Sequence, residues 1–208
     1  MTQTCEAPKN GGLYSVARAA AAILFHTVMP TRIIGAGKLD LEPPFIVISN
    51  HNSMMDPFVL ACKIKRYPVV FLGKKELVRS RFGRWLFDRL HMISVDRGHS
   101  DMEAMRACMR TLKAGGILGV FPEGTRHHEG VMEHIESGVS LIALRSGVPV
   151  IPVYIDGRVA LFHSTKAWVG DPIPTGDLRA EGINSETSAR MNERIRETFR
   201  AMVAEHGK

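Results

Sequence analysis

The stretch that decides the fold lies at residues 45–57 and reads Phe-Ile-Val-Ile-Ser-Asn-His-Asn-Ser-Met-Met-Asp-Pro. Its first half, Phe45 to Ser49, is apolar and β-branched, which predicts a buried strand. Its second half is polar and ends in Asp56-Pro57. This pair predicts the start of a helix, because Asp is a favoured cap and Pro fits the first helical position. The sequence therefore places His51 on a turn between a strand and a helix, where open α/β sheets carry reactive groups.

His51 and Asp56 allow two interpretations. A neutral imidazole accepts a proton near pH 7, and a carboxylate on its other ring nitrogen fixes the tautomer and stabilises the imidazolium. Alternatively, Asp56 only caps the helix and His51 is only a turn residue. The two residues alone do not separate these interpretations, so the decision depends on the rest of the chain.

Composition limits the classes of function. The length of 208 residues suits one domain, and the net charge of +6 favours anionic partners such as phosphate-bearing substrates or an anionic membrane surface. Aromatic residues are only 7% and do not alternate with a basic stripe, so we expect no nucleic-acid binding. The three cysteines are far apart and form no C-x-x-C pair, which indicates a reducing compartment without a disulfide framework.

Apolar runs of strand length alternate with segments of helix length. This order predicts an α/β fold: a single layered domain with a mixed, mostly parallel sheet flanked by helices. We expect strands over residues 45–49, 69–73, 92–95, 117–121 and 148–155, a hairpin-like piece over 31–39, and surface strands and loops over 156–182. We expect helices over residues 57–66, 74–90, 101–114, 133–145 and 186–204.

The N-terminal part, residues 1–34, is assigned to a polar end followed by an Ala-rich helix that Pro30 stops, and residues 35–208 to the main domain. Arg18 lies within the apolar run of this helix, which is too short for a membrane span. Two interpretations stay open. The helix packs on the core, or it lies at a membrane interface with Arg18 and Arg32 near the headgroups.

Three polar turns follow three predicted strands. If the strands are parallel, all three turns lie at one edge of the sheet. Arg97 and Arg126 could each direct two donors at phosphate oxygens, and Gly98 and Gly124 would let the backbone approach a ligand. Each arginine could instead pair with a neighbouring acid. The turns read Asn-His-Asn-Ser-Met-Met-Asp (50–56), Ser-Val-Asp-Arg-Gly (94–98) and Phe-Pro-Glu-Gly-Thr-Arg (121–126).

Together with Val-Pro-Val-Ile-Pro-Val at 148–153, these turns resemble, in order and spacing, the four sequence blocks of the glycerophospholipid acyltransferases. The likeness covers about residues 35–155. An Asn-His-x4-Asp turn alone is a weak signal, but Phe-Pro-Glu-Gly-Thr-Arg about 70 residues later makes the combination specific. The resemblance implies acyl transfer from a thioester, either acyl-CoA or acyl-carrier protein, to the free hydroxyl of 1-acylglycerol-3-phosphate, which gives phosphatidate.

The resemblance also assigns roles to residues. His51 would be the general base, oriented by Asp56, a contribution of about 10²–10⁴-fold in rate. The acceptor would be bound by Arg97, Glu123, Gly124, Thr125 and Arg126, with the two arginines on its phosphate and Glu123 on its glycerol part or on Arg126. The Thr125 hydroxyl or the amides after Gly124 would face the thioester oxyanion. No cofactor is implied, and we expect the enzyme at the cytoplasmic face of the cell membrane, bound peripherally or monotopically.

One position departs from the family pattern and keeps alternatives open. Glu136 stands where many members carry a lysine, so the acceptor could be another lysolipid. The alternative acceptors are glycerol-3-phosphate, a lysophospholipid with a larger headgroup and a lyso-aminolipid. A thioesterase in which His51 activates water, or a lipid-binding protein with a degraded site, are the alternatives from other classes. The histidines at 127, 128 and 134, with nearby glutamates, fit no zinc motif, and we expect no metal.

Overall fold

The computed structural model describes residues 12–64, 67–74, 81, 92–95, 101–124 and 130–207. In this part of the chain seven strands form one sheet. They are β1 (Thr31–Ile34), β2 (Phe45–Ser49), β3 (Val69–Lys74), β4 (Ile93–Val95), β5 (Ile117–Val120), β6 (Val150–Asp156) and β7 (Thr165–Val169). Their order across the sheet is β1-β7-β6-β2-β5-β3-β4.

The predicted mixed, mostly parallel sheet is confirmed. Strands β6, β2, β5, β3 and β4 run parallel to one another, whereas β7 is antiparallel to β6 and β1 is parallel to β7. Every residue of β2 is buried, because this strand lies inside the sheet and both of its faces are covered. The carboxyl ends of β2, β4 and β5 therefore meet at one edge of the sheet.

Helices cover both faces of the sheet. The described helices are α1 (Gly12–Thr27), α2 (Asp56–Lys63), α3 (Met102–Lys113), α4 (Ser137–Ser146), α5 (Gly176–Ala180) and α6 (Ser185–His206). Side chains of β2 alternate between the two layers: Ile46 and Ile48 pack with α3, α4 and α6, and Phe45 and Val47 pack with α1 and α2.

The N-terminal helix α1 packs on the domain by one face and exposes apolar side chains on the other. Tyr14 and Phe25 are buried, and the Tyr14 hydroxyl oxygen accepts the N–H of Val69 at 3.1 Å. Val16 and Ile23 are each 66% exposed. Within the described ranges, none of the helices combines the length and the hydropathy that crossing a membrane requires.

The hairpin-like piece predicted over residues 31–39 is wrong. Strand β1 pairs in parallel with β7, so that Arg32 lies beside Lys166, and Ala36–Leu39 is a 3₁₀ helix. The partner strand lies far along the chain, and a local pattern cannot show it. Residues 156–182 are also more regular than expected, because they contain strand β7, whose Thr165, Ala167 and Val169 are buried, and the short helix α5. The helix predicted over 74–90 lies largely outside the described residues.

Helix α4 begins at Ser137, four residues later than predicted. The N–H of Glu136 donates to the Pro122 carbonyl at 2.9 Å, and the N–H of Met132 donates to Oε1 of Glu123 at 2.8 Å. The backbone before Ser137 is therefore bonded to the turn after β5 and not to itself. In contrast, α3 starts as predicted, because the Asp101 side chain accepts two N–H groups of its first turn.

Gly119 in the middle of β5 makes room for an aromatic ring. A Cβ atom at this position would lie 2.3 Å from Cε1 of Phe71 and 2.9 Å from Cγ1 of Val69. The Phe71 ring in turn stacks on Phe121, with 6.0 Å between the ring centroids. Phe121 directly follows β5. The space left by Gly119 therefore lets the Phe71 ring reach Phe121, at the edge of the sheet where His51 lies.

We expect Gly119→Ala to lower the free energy of unfolding by about 1–3 kcal/mol, because the added methyl overpacks a buried strand. Urea denaturation measures this. Gly176→Ala is the matched control, since nothing lies within 4 Å of its added Cβ. The control should stay within about 0.5 kcal/mol of the wild type. Equal effects of the two substitutions would contradict this explanation of Gly119.

Candidate active site

His51 and Asp56 are in contact, as predicted. Nδ1 of His51 lies 3.1 Å from Oδ2 of Asp56, the imidazole is 17% exposed, and the carboxylate is fully buried. An ionised carboxylate only accepts hydrogen bonds, so this contact requires the proton on Nδ1. Nε2 then carries a free lone pair, and no residue in the described part of the chain is hydrogen-bonded to it. The pair has the geometry of a general base and its orienting acid.

The Asp56 carboxylate also shapes the turn that carries His51. Oδ2 accepts the backbone N–H groups of Asn52 at 2.8 Å and Ser53 at 2.7 Å. The capping interpretation of Asp56 is wrong: Met55 occupies the N-cap position of α2, Asp56 is the first helical residue, and its carboxylate folds back over the preceding turn. One oxygen thus orders both the backbone of residues 50–55, called the His51 turn below, and the imidazole.

Three polar side chains, to which no role was predicted from the sequence, attach the His51 turn to the end of β6 and the loop that follows it. The amide of Asn50 pairs with the Ile155 backbone, donating to its carbonyl and accepting its N–H, both at 2.8 Å. Asn52 donates to the Gly157 carbonyl at 2.9 Å, and Ser53 donates to the Val159 carbonyl at 3.0 Å. An asparagine at the end of an apolar strand was the signal available in the sequence.

The turn after β5 supports the His51 turn from the other side. Oε2 of the buried Glu123 accepts the backbone N–H of His51 at 3.1 Å, while its Oε1 accepts Met132 N–H. The Phe121 ring stacks on the imidazole, with 4.3 Å between the centroids. These contacts place the first and third polar turns at one edge of the sheet, as predicted. A substrate contact of Glu123 stays a prediction, because the contacts seen are both to backbone.

The remaining predicted binding residues are only partly described. Strand β4 ends at the same edge, but Arg97 beyond it lies outside the described residues, as do Thr125 and Arg126. Gly124 has φ +66°, the left-handed region that favours glycine. A Cβ there would lie 2.8 Å from Oε1 of Glu136, so the carboxylate at the position that departs from the family pattern adjoins this loop.

The buried cysteines do not offer a nucleophile. Cys108 is fully buried, and burial raises the pKa of its thiol to about 12. Burial likewise raises the pKa of Cys62. Both thiols are protonated at neutral pH, and thiolate is the reactive form. An acyl-cysteine route through either residue is therefore disfavoured, whereas proton removal by Nε2 of His51 is available.

The described part of the site thus combines a buried carboxylate and a mostly buried imidazole on a turn at the end of a strand of an α/β sheet. The Acyltransferase family model matches residues 30–156, which is more than half of the chain and includes His51, Asp56 and Glu123. The chain therefore belongs to the Acyltransferase family, and it is an acyltransferase.

Known proteins similar to the chain include bacterial and plant enzymes. The 1-acyl-sn-glycerol-3-phosphate acyltransferase of Bacillus subtilis (strain 168) is 26% identical over 80% of this chain and 86% of the relative. The chloroplastic enzyme BAT2 of Brassica napus, of the same name, is 27% identical over 85% of this chain, which spans 47% of that relative. The crystal structure of the 1-acyl-sn-glycerophosphate acyltransferase PlsC from Thermotoga maritima superposes with a TM-score of 0.66 at 25% identity, covering 92% of this chain and 76% of that one.

We expect Glu123→Gln to lower kcat by about 10- to 100-fold. The glutamine amide has only one acceptor oxygen, so its NH₂ group faces one of the two backbone N–H donors and that hydrogen bond is lost. The His51 turn would then shift, and a small displacement of a catalytic group lowers the rate strongly. The KM for the acceptor should stay within about twofold, since the bonds that are lost hold His51. Steady-state kinetics measure both parameters.

Glu133→Gln is the matched control, because Glu133 is exposed and has no bond to the His51 turn in the described structure. It should leave kcat unchanged. A raised acceptor KM with an unchanged kcat in Glu123→Gln would assign Glu123 to substrate binding and contradict the positioning role.

Proposed function

We propose that this protein transfers an acyl group from an acyl thioester to the free hydroxyl of 1-acylglycerol-3-phosphate, giving phosphatidate. The observation that carries the proposal is the 3.1 Å contact between His51 Nδ1 and the buried Asp56 carboxylate, at the sheet edge that Glu123 and Phe121 share. The names of the similar proteins support the choice of acceptor.

In the proposed reaction, Nε2 of His51 removes the proton of the acceptor hydroxyl as its oxygen attacks the thioester carbonyl carbon. The tetrahedral intermediate then collapses: the carbon–sulfur bond breaks, the ester remains on the glycerol, and the leaving thiolate takes the proton from the imidazolium. Asp56 stabilises the imidazolium between the two proton transfers. The acceptor oxygen is itself the nucleophile, so no acyl-enzyme forms.

The acceptor's phosphate would be held by Arg97 and Arg126, whose guanidinium groups match phosphate oxygens in a two-donor geometry. Gly124 directly follows Glu123, whose carboxylate accepts the N–H of His51. Thr125, or the amides that follow Gly124, would stabilise the oxyanion; the N–H of Gly124 itself donates to the Phe121 carbonyl at 3.1 Å. The donor would be acyl-CoA or acyl-carrier protein, both of which suit a net charge of +6.

Glu136 favours a second candidate acceptor. Its carboxylate adjoins Gly124, on the loop assigned to the acceptor's phosphate, and repels a bare phosphate. A headgroup that carries a cation beyond the phosphate would gain from this charge. The second candidate is therefore an acyltransferase that uses a lysophospholipid with an amino headgroup, or a lyso-aminolipid.

The test is thiol release from palmitoyl-CoA in detergent, with and without 1-oleoyl-lysophosphatidate. We expect release only with the acceptor, and a loss of about 10²–10⁴-fold in His51→Ala, because the general base is removed. His26→Ala is the control: this histidine is exposed at the end of α1 and should not affect the rate. Replacing the acceptor by lysophosphatidylethanolamine tests the second candidate.

Other outcomes separate the alternatives. Release without any acceptor identifies a thioesterase. Wild-type rates in His51→Ala remove the proposed mechanism. Thiol release with palmitoyl-acyl-carrier protein but not with palmitoyl-CoA would leave the proposed mechanism unchanged and identify the acyl-carrier protein as the donor.

A further inference from the structure

The loop between β6 and β7, residues 157–164, exposes two large apolar side chains. Leu161 is 60% exposed and Phe162 is 87% exposed. Phe162 also has φ +57°, in the left-handed region where a bulky residue is uncommon. The ring thus gains little from packing within this molecule and occupies an unfavourable backbone conformation. Such a residue indicates a contact outside the chain.

This Leu161–Phe162 tip adjoins the candidate active site. The N–H of Phe162 donates to the Val28 carbonyl, just beyond α1, at 2.7 Å. At the base of the same loop, Asn52 and Ser53 of the His51 turn donate to the Gly157 and Val159 carbonyls. The tip therefore lies between the end of α1 and the edge that carries His51. Met54, in the same turn as His51, is 61% exposed.

Exposed cations lie near the tip: Arg158 in the same loop, Lys166 in β7 just after it, and Arg32 in β1. One carboxylate is also near, because Asp156 of β6 is the cross-strand neighbour of Lys166. Arg32 and Lys166 lie side by side in the β1–β7 register. Within the described ranges, neither they nor the exposed Arg158 forms an ion pair. This side of the molecule therefore favours an anionic surface.

We propose that the Leu161–Phe162 tip inserts into the headgroup region of an anionic bilayer, with Arg32, Arg158 and Lys166 on lipid phosphates. In this orientation, the edge of the sheet that carries His51 would face the membrane. This inference rests on the proposed function, because a bilayer contact would bring the active site to a lysolipid acceptor that partitions into the membrane. A tip of two residues is too small for a stable protein interface, which buries about 800 Å² per partner. Bilayer docking needs only a few apolar side chains together with cations.

The experiment measures co-sedimentation of the full chain with phosphatidylcholine–phosphatidylglycerol vesicles and with phosphatidylcholine vesicles. The test variant is Leu161→Gln/Phe162→Asn, because Asn tolerates the left-handed backbone at this position. We expect it to bind anionic vesicles about tenfold or more weakly, the change expected when large apolar side chains no longer enter the bilayer. Phe162→Trp should bind at least as tightly as the wild type, since Trp favours membrane interfaces.

Two further variants complete the test. Ile183→Gln is the matched control, because Ile183 is also an exposed large apolar residue, 42% exposed, but precedes α6 on the other face of the sheet; it should bind as the wild type does. Arg158→Gln/Lys166→Gln should lose the preference for anionic over neutral vesicles. Wild-type binding by the tip variant, or equal losses in the tip variant and Ile183→Gln, would overturn the proposal.

Activity separates this proposal from the proposed function. With substrates in detergent, the tip variant should retain the wild-type rate of acyl transfer, whereas turnover of acceptor embedded in vesicles should fall with binding. If the wild type transfers no acyl group under either condition, the proposed function fails, and the vesicle binding still decides the role of the tip.

Discussion

The Asp56 carboxylate is the group on which the site depends. Its Oδ2 accepts three hydrogen bonds, from the N–H groups of Asn52 and Ser53 and from Nδ1 of His51. Burying a carboxylate is costly unless hydrogen-bond donors compensate for the lost water, and here all three donors bond Oδ2, whereas Oδ1 is buried without a partner in the described part of the chain. The Asn52 and Ser53 N–H groups reach Oδ2 only when the His51 turn has its observed shape. The hydrogen bonds that compensate for burying the Asp56 charge therefore also fix the conformation of this turn, and the bond from Nδ1 fixes the tautomer of His51.

The sheet gives this arrangement its rigidity. Strand β2 lies between β5 and β6, so the His51 turn is bonded to both neighbours: Glu123 after β5 accepts the N–H of His51, and Asn50 pairs with Ile155 in β6. Both are contacts with backbone groups of the chain. They hold the backbone of the proposed base in place, because both bonds join its turn to the ends of buried strands.

Local sequence patterns predicted the elements that depend on local causes. Apolar runs and periodicity predicted strand β2 and helices α3 and α6. The spacing of two side chains on one turn predicted the His51–Asp56 contact. The pairing of β1 with β7 was not predicted, because register between distant segments has no local signal. The start of α4 was missed for the same reason: Met132 and Glu136 are bonded to a turn formed by a different segment. Glu123 was assigned to substrate, whereas its observed contacts are backbone N–H groups that only the assembled sheet brings near.

The central claim is that Asp56 keeps the His51 proton on Nδ1 and leaves Nε2 free as the base. The most direct measurement is ¹⁵N NMR of the imidazole nitrogens at neutral pH, with His51→Gln to identify its signals among those of nine histidines. The account predicts that neutral His51 has a protonated Nδ1 and a bare Nε2, and that Asp56→Ala shifts the proton toward Nε2. A proton on Nε2 in the wild type, or the same tautomer in both proteins, would contradict it.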